Sequence, residues 1–178
     1  SNSTKLKKML EGLSRYFLLL YDTQPNFIQI SLKNLMHQAF ENVQKNYPQA
    51  ESSLNIQSGL PEISADPLLI RELLELIFDN AHKFQPKTGK IRVKVNFAGE
   101  GSQIILKIRD NGVGFDSSYA HRIFRLFGRL HKDSEYPGEG IGMTLASAIV
   151  FIHQGQIWAE SPLNEETCFF IRLPRSQC

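Results

Sequence analysis

Apolar residues recur with the period of a helix in four stretches of the chain: residues 4–20, 32–43, 68–84 and 143–153. In the first stretch they alternate at spacings of four and three: Leu6, Leu10, Leu13, Phe17 and Leu20. Such a stripe is typical of a helix that packs on a partner helix. Ser31 and Asp66 are suited to cap the second and third helices, and Pro67 suits a first helical position.

The first predicted helix has two interpretations. It is either an N-terminal helix folded onto the domain or one arm of a dimerising helical hairpin. Its stripe covers little more than two heptads, so the pattern supports both interpretations about equally.

Period-two alternation predicts the strands. Ile91, Val93, Val95 and Phe97 alternate with polar residues, as expected for a half-buried strand. Residues 99–101 then form a tight connection to a second strand. That second strand covers residues 104–108. The remaining predicted strands are shorter or less regular: residues 27–30, 54–56, 156–160 and 169–173.

Composition restricts the class of protein. The 178 residues, 42% of them hydrophobic, suit one domain or one domain with a short appendage, and exclude disorder as the main state. Lys and Arg number 20 against 18 Asp and Glu, so charge gives no reason to expect nucleic acid or a membrane as partner. The two cysteines, Cys168 and Cys178, are too few for a disulfide framework. A chain without such a framework suits a reducing compartment, so we expect a cytoplasmic protein.

The first segment with candidate chemistry is ELLELIFDNAHKF, residues 72–84. Asn80 and Lys83 are three residues apart, so they are neighbours on one face of the helix. An amide oxygen can ligate Mg²⁺, and an ammonium group can neutralise phosphate. Taken alone, the segment is more typical of a buried helix with a polar end.

The second segment is IRDNGVGFD, residues 108–116. A strand ends in Asp110, and Gly112 and Gly114 follow. A carboxylate there can accept a hydrogen bond from an exocyclic amine such as that of adenine, and glycine lets the backbone approach a ligand. The alternative is a common Asp-Asn-Gly turn.

The third segment, residues 137–155, places Gly138, Gly140 and Gly142 just before a predicted helix. The free N–H groups of a helix N-terminus bind anions. The spacing matches neither a Rossmann fingerprint nor a Walker loop. Half of the 12 glycines lie between Gly112 and Gly142, and a long glycine-rich stretch is usually functional.

In order and spacing, these segments resemble the catalytic ATP-binding domain of sensor histidine kinases, in the gyrase/Hsp90/histidine kinase/MutL superfamily. DNAHKF is similar to the N box, DNGVGF to the G1 box, IFRLFGRLH (residues 123–131) to the F box and GEGIGM to the G2 box. GQIWAES and TCFFIRLP are similar to the closing strands, and RLH…SEYPGEGIGM looks like the phytochrome-type kinases. The resemblance extends from about residue 54 to residue 174.

The resemblance implies an α/β (α+β) two-layer sandwich. One mixed, mostly antiparallel sheet of about five strands would be covered on one face by about three helices. Residues 1–21 would be the end of the second helix of a dimerisation hairpin, and residues 25–178 the catalytic domain. A lid over residues 116–140 would be poorly ordered without nucleotide.

It also implies ligands and site residues. ATP and Mg²⁺ would be the cofactors; Asp110 would hold the adenine amine with help from Thr167, and Gly112 and Gly114 would pass close to the purine. The residues implied at the phosphates are Asn80, which would also face Mg²⁺, together with Lys83, Arg129, Gly138, Gly140 and Gly142. Arg129 would sense the γ-phosphate.

The implied activity is transfer of the γ-phosphoryl group of ATP to a histidine outside this chain, and then to a response regulator receiver domain. The whole protein would be a homodimer joined through its hairpins. None of the five histidines lies in residues 1–20, so we expect no autophosphorylation by this chain alone.

Position 76 departs from the family pattern. The family usually has a polar residue four before Asn80, and Leu76 can neither bind Mg²⁺ nor accept a proton. Glu75 is adjacent, but one residue is about 100° around a helix, so its side chain should point elsewhere. The alternative function is therefore a degenerate nucleotide-binding domain with a regulatory or binding role.

Overall fold

The computed structural model describes residues 2–85, 89–128, 140–161 and 166–176, without the side chains of residues 2, 100 and 119. The helices are α1 (Asn2–Tyr21), α2 (Leu32–Gln44), α3 (Pro67–Lys83) and α4 (Gly142–Ile152), with a short 3₁₀ helix at Ser117–Arg122. The strands are β1 (Ile28–Ser31), β2 (Ser52–Ile56), β3 (Glu62–Ala65), β4 (Ile91–Glu100), β5 (Gln103–Asp110), β6 (Gln156–Glu160) and β7 (Thr167–Pro174).

Five strands form the main sheet in the order β2-β4-β5-β7-β6. The β2–β4 pair is parallel, and the other three pairs are antiparallel. This confirms the predicted mixed, mostly antiparallel sheet. A separate antiparallel pair joins β1 to β3. Strand β3 is not predicted from the sequence, because four residues with only Ile63 and Ala65 on the buried face give too short a pattern.

The core lies between one face of the sheet and helices α2, α3 and α4. On β5, Ile104, Leu106 and Ile108 are buried, whereas Lys107 and Arg109 lie on the opposite face. Helix α2 packs on α3, and α3 packs on α4, so the helices form one continuous layer. The two-layer arrangement with three helices on one face is confirmed.

The predicted N-caps are present. The Ser31 hydroxyl accepts a hydrogen bond from the N–H of Asn34, at 3.3 Å. The Asp66 carboxylate accepts from the N–H groups of Leu68 and Leu69, both at 3.0 Å, and Pro67 opens α3. These bonds satisfy donors that a helix N-terminus otherwise leaves unpaired.

Helix α1 is folded onto the domain. Leu19 is buried, and the Arg15 guanidinium bonds both carboxylate oxygens of Glu72 on α3, at 3.0 and 2.5 Å. At Gly12 the helix comes so close to Ile141 that a Cβ would lie 2.9 Å from its side chain. Within the described residues, the predicted stripe faces away from this contact, since Leu6 and Leu10 are 59% and 55% exposed.

Candidate nucleotide-binding site

Contacts within the chain bring the three candidate segments together around the end of α3. The carbonyl oxygen of Phe84, just after α3, accepts a hydrogen bond from the N–H of Val113 at 2.9 Å. Leu76 on α3 lies against Gly142, the first residue of α4. Segments that are far apart in sequence therefore meet along the C-terminal half of α3. Arg129 and Gly138 lie outside the described residues, as does the whole segment 129–139 of the predicted lid.

Asp110 ends β5 and is paired directly with Thr167, the first residue of β7. Its side chain is only 6% exposed, and Oδ1 accepts a hydrogen bond from the N–H of Gly112 at 2.8 Å. Burial raises the pKa of Asp110 to about 6, and the negative charge of Glu166 adds to this against the backbone hydrogen bonds. A buried carboxyl group with a perturbed pKa is typical of a functional site.

Close packing within the chain requires a glycine at position 112. A Cβ at this position would lie 2.4 Å from the carbonyl oxygen of Phe84 and 2.7 Å from Oδ1 of Asp110. Gly114 has φ of +64°, a conformation that favours glycine. The two glycines therefore fix the path of the loop beside Asp110, and their approach to a purine stays a prediction.

The start of α4 has the character of an anion site. Its N-cap position is Ile141, and no described side chain caps the helix with a hydrogen bond. Gly140 has φ of +73°, and Gly142 leaves room beside Leu76, whose Cδ2 would be 3.6 Å from a Cβ there. First-turn N–H groups without a capping side chain suit a phosphate ligand.

Lys83 is held by a neighbour that the sequence analysis did not select. Its Nζ lies 2.6 Å from Oδ2 of Asp79, one helical turn earlier. The other carboxylate oxygen of Asp79 accepts a hydrogen bond from the hydroxyl of Tyr47, at 2.7 Å. The four-residue spacing of Asp79 and Lys83 is a usable signal for an ion pair. Nothing in the sequence indicates Tyr47, which follows α2.

Glu75 points away from the site, as expected. Its Oε1 accepts a hydrogen bond from the side-chain amide of Asn42 on α2, at 2.9 Å. Leu76 is half-buried and packs against the core. The site therefore has an apolar side chain at the position where the resemblance implies a polar one.

The donors present suit Mg²⁺ only in combination with a phosphate ligand. In the described part of the chain, no three His, Cys, Asp or Glu side chains are grouped so that they could hold a metal ion. Asn80, in the last turn of α3, can supply one amide oxygen. Mg²⁺ commonly takes one or two protein ligands and completes its shell with phosphates and water, so the residues fit the ion.

Comparison with known proteins identifies the family. Residues 65–177 match the family "Histidine kinase-, DNA gyrase B-, and HSP90-like ATPase". The match covers well over half of the chain, and the chain belongs to this family of ATP-binding domains. The resemblance predicted from the motifs is thereby confirmed.

Similar proteins include the "Methanogenesis regulatory histidine kinase FilI" of Methanothrix harundinacea, 28% identical over 81% of this chain and 16% of that protein. "Cyanobacterial phytochrome A" of Nostoc sp. is 30% identical over 86% of this chain and 20% of that protein. The chain thus spans about a sixth to a fifth of these relatives.

Among solved structures, full-length ShkA in complex with AMPPNP has the same fold, with a TM-score of 0.80 and 21% identity, over 97% of this chain and 36% of that one. This similarity concerns the fold alone.

In the described residues of our chain, no helix is long and apolar enough to cross a membrane.

Proposed function

We propose that this chain is the ATP-binding catalytic domain of a sensor histidine kinase. In the whole protein it would transfer the γ-phosphoryl group of ATP to a histidine outside this chain, from which a response regulator receiver domain receives it. The observation that carries the proposal is the buried Asp110 carboxyl group at the end of β5. The family and the histidine kinase relatives support it, and they do not favour the alternative of a degenerate binding domain.

In this proposal Asp110 selects adenine. Its carboxylate accepts a hydrogen bond from the exocyclic amine, and Thr167, directly opposite on β7, supports the base. Guanine presents a carbonyl oxygen at the corresponding ring position, which would face the Asp110 oxygens without a proton between them. Adenine is therefore bound and guanine rejected.

The phosphates lie between the end of α3 and the start of α4. Asn80 faces Mg²⁺, Lys83 contacts phosphate, and Gly140 and Gly142 let the backbone N–H groups of α4 reach the phosphate oxygens. The resemblance assigns further phosphate contacts to Arg129 and Gly138, and Arg129 would meet the γ-phosphate. ATP supplies the phosphoryl group, and the residues act by positioning it and neutralising its charge.

Residues 1–21 are proposed as the end of a dimerisation-hairpin helix, and residues 25–178 as the catalytic domain. The exposure of Leu6, Leu10 and Phe17 on α1 supports this assignment, because it leaves an apolar stripe for a partner helix. The whole protein would form a homodimer through this hairpin and act in the cytoplasm.

The test is calorimetric titration of the chain with ATP and Mg²⁺ at millimolar nucleotide, then with adenosine and guanosine. We expect ATP and adenosine to bind and guanosine to fail. The Asp110→Asn variant should bind adenosine about tenfold more weakly, because a neutral amide oxygen is a weaker hydrogen-bond acceptor than a carboxylate. Glu75→Gln, which changes a carboxylate directed at α2, is the matched control and should bind like wild type.

The pH dependence of adenosine binding is a second readout. Since the pKa of Asp110 is about 6, lowering the pH through 6 protonates the acceptor and should weaken adenosine binding. Adenosine carries no phosphate, so phosphate titration does not interfere. Asp110→Asn should lack this dependence. If wild type binds no nucleotide, or if Asp110→Asn binds adenosine as well as wild type, the proposed function is wrong.

A further inference from the structure

Asp79 links Lys83 to a part of the chain that is remote in sequence. Its two carboxylate oxygens have different partners: the Lys83 ammonium at 2.6 Å and the Tyr47 hydroxyl at 2.7 Å. Lys83 and Asp79 are about 30% and 28% exposed, so the pair lies at the boundary between the core and solvent. The ammonium proposed to meet phosphate is thus already paired with an anion.

Tyr47 holds this carboxylate in a fixed orientation. Its ring stacks on the buried ring of His82, with 4.9 Å between the ring centroids. His82 is itself fixed by a hydrogen bond from Nδ1 to the carbonyl oxygen of Phe78, at 2.7 Å. Burial, and then the hydrogen bond to Asp79, raise the pKa of the Tyr47 hydroxyl, which further favours its protonated, donating form.

We propose that Asp79 is a positioning residue that holds Lys83 when no phosphate is bound and competes with the nucleotide phosphates for its ammonium group. This inference rests on the proposed function, since it takes phosphate as the second partner of Lys83. An ammonium group has three N–H donors, so Lys83 can turn toward phosphate while it stays close to Asp79. The carboxylate then cancels part of the attraction between Lys83 and phosphate and repels the phosphate itself.

The competition acts on the phosphate end of the ligand only. Adenosine has no phosphate, so its affinity should not depend on Asp79. ATP has the full phosphate charge, so its affinity should rise when Asp79 is neutral. The ratio of the two affinities therefore reports the role of Asp79, whereas a purely structural defect would weaken both ligands together.

The experiment is calorimetric titration of wild type and of Asp79→Asn with ATP and Mg²⁺ and with adenosine. We expect Asp79→Asn to bind ATP about fivefold more tightly, as one removed charge near an exposed ligand would give, and adenosine as wild type does. Tyr47→Phe keeps the ring on His82 and removes only the hydroxyl. It should shift the ratio in the same direction by a smaller factor, and it also serves as the test if Asp79→Asn does not fold.

Two controls locate the effect. Glu75→Gln makes the same change of charge on α3, but its carboxylate contacts Asn42, and the ratio should not move. In the Lys83→Met background, Asp79→Asn should improve ATP binding by a clearly smaller factor, because only the direct repulsion between the carboxylate and phosphate is then removed. A gain as large as in the wild-type background means that Asp79 acts on phosphate without Lys83, and it overturns the positioning role.

The failures are distinguishable. If wild type binds ATP and neither Asp79→Asn nor Tyr47→Phe changes the affinity ratio, this inference is wrong and the proposed function stands. If both ligands weaken in parallel with a loss of thermal stability, Asp79 is only a structural support. If wild type binds no ATP, the proposed function falls and this inference with it.

Discussion

At the scale of single residues, the site combines residues that spacing identifies with residues that only the fold brings in. Asn80, Lys83 and Asp110 are identified by their positions in short motifs. Asp79 and Tyr47 are 32 residues apart and meet because α2 packs on α3. A sequence pattern of fixed spacing cannot report such a contact, because the distance along the chain carries no information about it.

Leu76 is the residue at which the site departs from the family pattern, and it allows a direct test. Leu76→Asn places an amide oxygen beside Gly142, at the end of the site where the phosphates are proposed to lie. The measured quantity is the ratio of the ATP affinity with Mg²⁺ to that without it. We expect this ratio to be about threefold to tenfold larger for Leu76→Asn than for wild type, because the variant adds one polar contact. Titration with ATP in the presence of Mg²⁺ and of a chelator measures this ratio.

The control for this variant is Leu76→Ala, which removes the same apolar side chain without supplying an oxygen. If both variants show the same dependence on Mg²⁺, position 76 does not face the metal. Leu76 would then contribute to packing of the core and would not impair metal binding at the site.

At the scale of elements, α1 has one face that packs on the domain and another face that is exposed and apolar. The periodic stripe that the sequence displays is left exposed, whereas the contact with the domain runs through Gly12, Arg15 and Leu19. The helix was predicted from its stripe, but the side that packs on the domain was not. A small residue, a charged residue and one leucine do not form a recognisable pattern.

Two matched substitutions test this orientation of α1. Leu19 is 2% exposed, so Leu19→Ala should lower the free energy of unfolding by about 2–4 kcal/mol through the lost burial and the cavity. Leu10 is 55% exposed, so Leu10→Ala should change it by less than about 0.5 kcal/mol. Urea unfolding at equilibrium measures both. Equal losses from the two variants would contradict the packing described here.

At the scale of the whole molecule, His153 joins three elements. Its Nε2 accepts a hydrogen bond from the N–H of Asp66 at 3.1 Å, and its Nδ1 donates to the carbonyl oxygen of Ile149 at 2.8 Å. Its ring also packs against Phe27, just before β1. These bonds suit a neutral imidazole, and burial lowers the pKa of His153 against the opposing effect of the Asp66 charge.

The neutral His153 makes stability depend on pH. The unfolded chain takes up a proton near the ordinary value of 6.5, whereas the folded chain does not until the pH is lower. The contribution of His153 to stability is therefore full above pH 6.5 and falls below it, by up to about 1.4 kcal/mol per pH unit. Asp110 acts in the opposite direction, since its folded pKa of about 6 exceeds the ordinary 3.8, so acid stabilises its folded form.

Comparison of His153→Gln with wild type isolates this contribution. The variant should be less stable at pH 8, because it loses packing, but its stability should decline less between pH 7 and pH 5.5. His37→Gln, at an exposed position on α2, should keep the wild-type profile. Urea unfolding at each pH gives the profiles, and parallel profiles for wild type and His153→Gln would show that His153 does not titrate in this way.

The sequence by itself determined helices α1 to α4, every strand of the described residues except β3, and the candidate residues that lie in short motifs. Helix period, strand alternation, caps and motif order are local properties, and local spacing is sufficient to show them. Only the tertiary structure decided the strand order, the face of α1 that packs on the domain, the burial that raises the pKa of Asp110, and the contact of Tyr47 with Asp79. Each of these depends on which distant segments meet, and that is settled by packing of the whole core.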